Sequence, residues 1–200
     1  MRSSRATGKE AEKWITKATQ LKVLESPVTV DVLQAFRTAG PSTVAEVAQR
    51  IGRQSVSLHY HVRRLKSAGF LRVVDTKRSG ARTQSIYDVT AKFFRYRNAP
   101  ENPGMQKVVG DIVASLLRLA VRNFQAAIGR PDSVREEGGD RNLLADRLKA
   151  RLSKHEIAAV NRHLRAAERI FTKCDRTKGG ELITLTVVMT PEPDRSDTAS

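Results

Sequence analysis

Apolar residues recur along most of this chain at spacings of three and four, the period of a helix, with three shorter stretches whose pattern is that of strands. Trp14, Ile15, Ala18 and Leu21 predict a short leading helix behind a polar N-terminus. Ser26-Pro27 reads as an N-cap followed by proline at the first helical position. It opens a helix to about Thr38, with Val30, Leu33 and Phe36 on its apolar side and Gly40-Pro41 as its stop. Thr43 and Glu46 have the spacing of a capping box, and Val44, Val47, Ala48 and Ile51 follow as the stripe of a helix of about two turns. Gly52 supplies the turn, and the next helix starts near Gln54 or Ser55. In that helix Leu58, Val62 and Leu65 fall together, while Val56, Tyr60, Arg63 and Ser67 project from the opposite side, flanked by Ser57 and Arg64.

Beyond Gly69, residues 70–74 and 85–90 are β-prone, and Thr76 to Arg82 between them is basic, which predicts a hairpin with a cationic tip. Helices in tandem followed by such a hairpin make a winged helix-turn-helix, a mainly α fold with a small β-wing. Asn98 to Gly104 interrupts every periodic pattern and reads as a linker. A second stripe follows, formed by Val109, Ile112, Val113, Leu116, Ala120 and Phe124; it is too broad for a helix that packs only on its own wing. After a loop from Gly129 to Asp140, Leu143, Leu144 and Leu148 predict a shorter helix. Ser153 and Glu156 form another capping box ahead of Ile157, Val160, Leu164, Ala167, Phe171 and Cys174, which alternate by three and four as a helix-pairing seam does. Gly179-Gly180 ends that helix, and Ile183, Leu185, Val187 and Met189 alternate with more polar neighbours in a terminal strand. The division expected is an N-terminal arm or helix over 1–20, a winged helix-turn-helix over 21–97, a linker over 98–104, a helical dimerisation region with a terminal strand over 105–190, and a disordered tail over 191–200.

Charge gives this plan a direction. The 200 residues carry a formal charge of +15, with 36 Lys and Arg against 21 Asp and Glu, so the expected large partner is a polyanion. Residues 1–100 hold 19 basic and 7 acidic groups, whereas residues 101–200 hold 17 and 14, which turns the polyanion toward the N-terminal half. A helix laid in the major groove of double-stranded DNA needs short polar groups near its N-terminus and cations further along. Gln54, Ser55, Val56, Ser57, His59 and Tyr60 are the candidates for base edges, Arg63, Arg64 and Lys66 for phosphates or guanine edges. On the hairpin, Lys77, Arg78 and Arg82 would reach the adjacent minor groove or its phosphates.

From Leu24 to Val89 the chain resembles the winged helix-turn-helix domain of ArsR-like bacterial transcription regulators. That family's reading helix runs into a His-Leu-x-x-Leu-x-x-Ala-Gly-Leu pattern, and His61-Val-Arg-Arg-Leu65-Lys-Ser-Ala68-Gly69-Phe70 is similar to it. Thr43 to Gly52 resembles the helix that precedes it. Two departures stand out: the cysteine pair of metal-sensing members has no counterpart between Val44 and Ala48, and Thr29 replaces an arginine. The resemblance thus implies DNA binding and a dimeric habit without thiolate metal sensing. Val109, Ile112, Val113, Leu116, Ala120, Phe124, Ile157, Val160, Leu164 and Phe171 are the expected dimer contacts, and a two-fold dimer would set two reading helices roughly 34 Å apart.

Other chemistries find little in the sequence. No Ser-His-acid arrangement, phosphate-binding glycine loop or metal-ligand spacing is present, so neither an enzyme nor a cofactor is expected. His59 and His61, two apart on a helix, cannot chelate together, and His61 reads as a structural histidine. Cys174 reads as a small apolar seam residue, with a redox switch as the alternative. A single cysteine and the lack of a signal peptide or a long apolar run point to the cytoplasm and away from membranes. Two readings stay open beside the regulator: a winged-helix module that docks proteins or RNA without reading sequence, and a C-terminal half that encloses a small-molecule effector the sequence does not name.

Overall fold

A computed structural model describes residues 10–80, 82–96, 102–173 and 180–192. The elements run β1 (Glu10–Ile15), α1 (Ala18–Leu21), a single 3-10 turn (Lys22–Glu25), α2 (Pro27–Ala39), α3 (Val44–Arg50), α4 (Ser55–Ser67), β2 (Leu71–Ser79), β3 (Arg82–Val89), β4 (Ala91–Tyr96), α5 (Pro103–Ala127) and α6 (Lys154–Lys173). Local chemistry sets the helix starts. Ser26 accepts from the Thr29 amide ahead of Pro27, and Thr43 and Glu46 close the full capping box.

The core lies where α2, α3 and α4 meet the base of the hairpin. Phe36, Val47, Leu58, Val62, Leu65, Phe70, Leu71 and Val89 are all sealed from solvent. β2 and β3 form the antiparallel wing, with a bulge between Val73 and Asp75. Its strands are longer than expected: pairing continues to Ser79 and Arg82, so Lys77 and Arg78 lie on a strand. The wing is tied to the helices by a bridge in which Ser42 and Tyr87 exchange amide-carbonyl bonds of 3.0 and 2.8 Å just before α3 begins.

The N-terminus corrects the sequence expectation. Residues 10–15 are not helical but pair in parallel with β4, with Ile15 opposite Tyr96 and Trp14 opposite Arg95. Ile15 is 1% exposed and Trp14 53%, the alternation of a strand. Only Ala18–Leu21 of the expected helix forms. Local periodicity cannot register a partner strand that lies far along the chain, and the pairing overrides it. The junction of these parts is Gly69, whose φ of 78° closes α4 with a hydrogen bond from the Phe70 amide to the Leu65 carbonyl. Its carbonyl accepts from Lys13 Nζ (2.9 Å) in β1 and from Thr90 Oγ1 (2.7 Å) beside β4.

The linker expected over 98–104 lies partly outside the described residues; what is described of it belongs to α5, with Asn102 capping the Met105 amide and Pro103 at the helix start. The first half of α5 joins the N-terminal core rather than leaving it. Met105 and Val108 are buried there, and Val109 and Ile112 pack against the same cluster. Ser115, fully buried, donates to the Glu25 carbonyl and accepts from Arg118 (2.9 Å), and Arg122 pairs with Asp31 of α2 at 3.0 Å.

Two C-terminal expectations fail. Residues 141–152 form no helix, and residues 180–192 form no paired strand. A turn or two of helix without a packed face does not offset its nucleation cost, and an extended segment becomes a strand only beside another edge. The two segments instead run alongside each other, joined by Asn142 to Glu181 at 3.0 Å and by Arg147 (2.9 Å) and Lys149 to Glu192. Residues 1–9 of the expected arm, Cys174 at the end of the seam, the Gly179 of the helix stop and residues 193–200 of the expected tail lie outside the described residues.

Docking of α5 should depend on Ser115 more than on its exposed ion pair. Ser115→Ala leaves the part-buried Glu25 carbonyl and the Arg118 guanidinium without this partner and is expected to cost about 1–3 kcal/mol in urea unfolding, against less than about 1 kcal/mol for Arg122→Ala.

Candidate nucleic-acid interface

α4 is held by its back and leaves its front free. Leu58 and Leu65 are fully buried and Val62 nearly so, whereas Val56 is 80% and Tyr60 56% exposed, with Ser57, His59, Arg63, Lys66 and Ser67 also on the surface. The two-faced wheel read from the sequence is therefore the arrangement found. Gln54 precedes the helix as an exposed N-cap residue whose side chain caps nothing, and Ser57 Oγ donates to the Gln54 carbonyl at 2.7 Å. Ser57 thus spends its proton on the helix start and offers a groove only its lone pairs. Ser55 is half-buried.

The cations of this face differ in freedom. Arg64 lies over the Tyr60 ring, 5.5 Å from its centre, which ties it to its own helix and steadies the phenol. Arg63 has no ion pair or hydrogen bond to another described residue and is exposed. On the wing, Lys77 sits 3.6 Å from Glu46, so one of the expected phosphate ligands is shared with the capping box of α3. The Glu46 carboxyl is held below its ordinary range first by the Thr43 amide (2.8 Å), then by the Thr43 hydroxyl (3.0 Å), with Lys77 adding to both. Arg78 is exposed and, next to Lys77 on a strand, faces the other side of the wing. Arg82 opens β3; its side chain lies outside the described residues.

An open cleft of about 590 Å³ runs beside α4. Thr19, Gln20 and Val23 form one wall, and Tyr60, Arg63 and Arg64 the other. The sequence pattern gave no sign of the first wall, because α1 is a single turn whose position is set by β1 and by the bond from Gln20 Nε2 to the Ala68 carbonyl (3.1 Å). Among the described residues no group of three or more His, Cys, Asp and Glu is placed to hold a metal ion, and no helix is long and apolar enough to cross a membrane.

Behind Tyr60, the half-buried His61 meets Thr29 of α2, its Nδ1 2.8 Å from the Thr29 hydroxyl. Thr29 is fully buried, which explains a short polar residue at a position where the resembling family has arginine: the site is a lock between α2 and α4. The sequence marked Thr29 only as a departure, since its partner lies on another helix. The His61 ring also meets Tyr60 edge to face, with centres 5.4 Å apart. Burial, followed by the nearby Arg64 and Arg53, lowers the imidazole pKa below its ordinary value.

The folded state therefore binds fewer protons at His61 than the unfolded chain does. Its contribution is complete above the ordinary histidine pKa near 6.5 and is lost as the pH falls below it. Between pH 7 and about 5 the stability of the protein is expected to fall, and in His61→Gln this slope should flatten, as read from urea midpoints across that range.

Compared with known proteins, residues 24–74 match the family model of a helix-turn-helix domain. The match takes in α2, α3, α4 and the start of the wing, the elements that seal the back of α4. No curated protein matches the chain. The chain carries a helix-turn-helix domain of the kind found in DNA-binding regulators, and α4 is the second helix of its turn.

Proposed function

We propose that this protein is a sequence-specific transcription regulator of the ArsR-like winged-helix kind, working as a homodimer. α4 enters the major groove, with Gln54, Ser55, Val56, Ser57, His59 and Tyr60 toward base edges and Arg63, Arg64 and Lys66 toward phosphates or guanine edges. Lys77, Arg78 and Arg82 of the wing follow the adjacent minor groove or its backbone. The observation that carries this reading is the outward face of α4, where the exposed Tyr60 and Arg63 stand clear of a fully sealed back.

Dimerisation is supported by apolar surface that the chain leaves uncovered. Val109 and Ile112 serve the N-terminal core, so the surface for a partner falls further along α5, where Val113, Leu116, Ala120 and Phe124 are only half-buried and Leu117 and Val121 are exposed. Ile157 and Phe171 of α6 are exposed and Val160 and Leu164 half-buried, at the alternating spacing by which two copies of a helix pair.

In-vitro selection of duplexes is expected to yield a symmetric site bound roughly 10³-fold or more tightly than random duplex at physiological salt. Equal binding of both would instead favour a winged-helix module that docks proteins or RNA. Tyr60→Ala combined with Arg63→Ala should abolish binding of the selected site at an unchanged urea midpoint, and Arg78→Ala should weaken all duplexes alike, lowering the salt slope by about one. Ile157→Asp with Phe171→Asp should convert the dimer to a folded monomer in sedimentation and reduce affinity for the symmetric site, because the second half-site is no longer linked.

A further inference from the structure

We infer that Val56 reads the C5-methyl group of a thymine. The inference rests on α4 being the reading helix and names what one position on it recognises. Val56 is the second residue of α4 and, at 80%, more exposed than any other large apolar side chain among the described residues of 10–96. Nothing in the fold calls for it. At 80% exposure it is no part of the described core cluster, and as a β-branched residue it supports a helix less well than alanine would.

Its surroundings narrow the choice of partner. The neighbouring exposed residues at this end of the helix are Arg53, Gln54, Ser57, His59 and Tyr60, so Val56, with only the Tyr60 ring as an exposed apolar neighbour, stands within a largely polar face rather than in a broad patch that would hold a protein. Among the groups that base edges present in the major groove, the thymine methyl is the apolar one. The side chain is also well prepared to meet it. Its χ1 is stiff, and the helix start beneath it is fastened by the Ser57-Gln54 bond, so little freedom is lost on contact. Tyr60, one turn further along the same side, presents its phenol toward the next bases.

The test uses the full chain and its best selected duplex, with each thymine replaced singly by deoxyuridine, which lacks only the methyl. The expected result is one position, with its symmetry mate, at which the native protein loses roughly fourfold in affinity per methyl, the worth of one buried carbon. Val56→Ala should bind the thymine and deoxyuridine duplexes equally at that position, with an unfolding midpoint no lower than that of the native chain. Indifference of the native protein to every replacement, or persistence of the same loss in Val56→Ala, overturns the inference while leaving a sequence-specific DNA binder. Failure to select any duplex over random sequence removes the reading helix itself, and this inference with it.

Discussion

The constraint on which this structure rests is the burial of Leu58, Val62 and Leu65 along the back of α4. Once those side chains are sealed against Phe36, Val47 and Phe70, the rotation of the helix about its axis is fixed, because the residues that repeat out of phase with them have nowhere to go but solvent. The exposure of Val56, Tyr60 and Arg63 is a consequence of that burial. Turning the helix by even one position would expose leucine and bury arginine, and burying an unpaired guanidinium is prohibitive.

Position along the axis is fixed separately, by polar contacts at the C-terminal end and in the middle. At the C-terminal end the Gly69 carbonyl collects Lys13 and Thr90, which joins α4 to both strands of the small parallel sheet. In the middle Thr29 and His61 bind α4 to α2. The wing is set by the Ser42-Tyr87 bridge and by Lys77 against Glu46, so the carboxylate that closes the capping box of α3 also meets the hairpin. Apart from the exposed Lys77-Glu46 pair, these contacts are partly sheltered from water, where a hydrogen bond is worth more than on the open surface.

The C-terminal half obeys a different balance. The start of α5 is part of the winged-helix core through Met105 and Val108, and Ser115 secures it to the turn before α2. From there on the chain leaves much of its apolar surface open, along Leu117 and Val121, on Ile157 and Phe171, and over residues 182–189. α6 is linked to the sheet by Arg95, which bridges Glu12 of β1 and Glu168. Exposed pairs of this kind contribute little stability on their own, and burial in an assembly is the usual fate of so much apolar surface.

What the sequence determined by itself was local in origin: the proline and capping-box starts of α2 and α3, the glycine turns, the two faces of α4, and a hairpin after Gly69. Each follows from residues within a few positions of one another, where backbone hydrogen bonding and periodicity decide the outcome. Tertiary structure decided whatever needed a distant partner. Residues 10–15 became a strand because β4 was there to pair with them, Thr29 and His61 met only when α2 crossed α4, and the segments near Leu143 and Leu185, expected as a helix and a strand, are instead joined to each other by side-chain bonds. A stripe of apolar residues shows that a face will be covered; which element covers it depends on contacts across the chain.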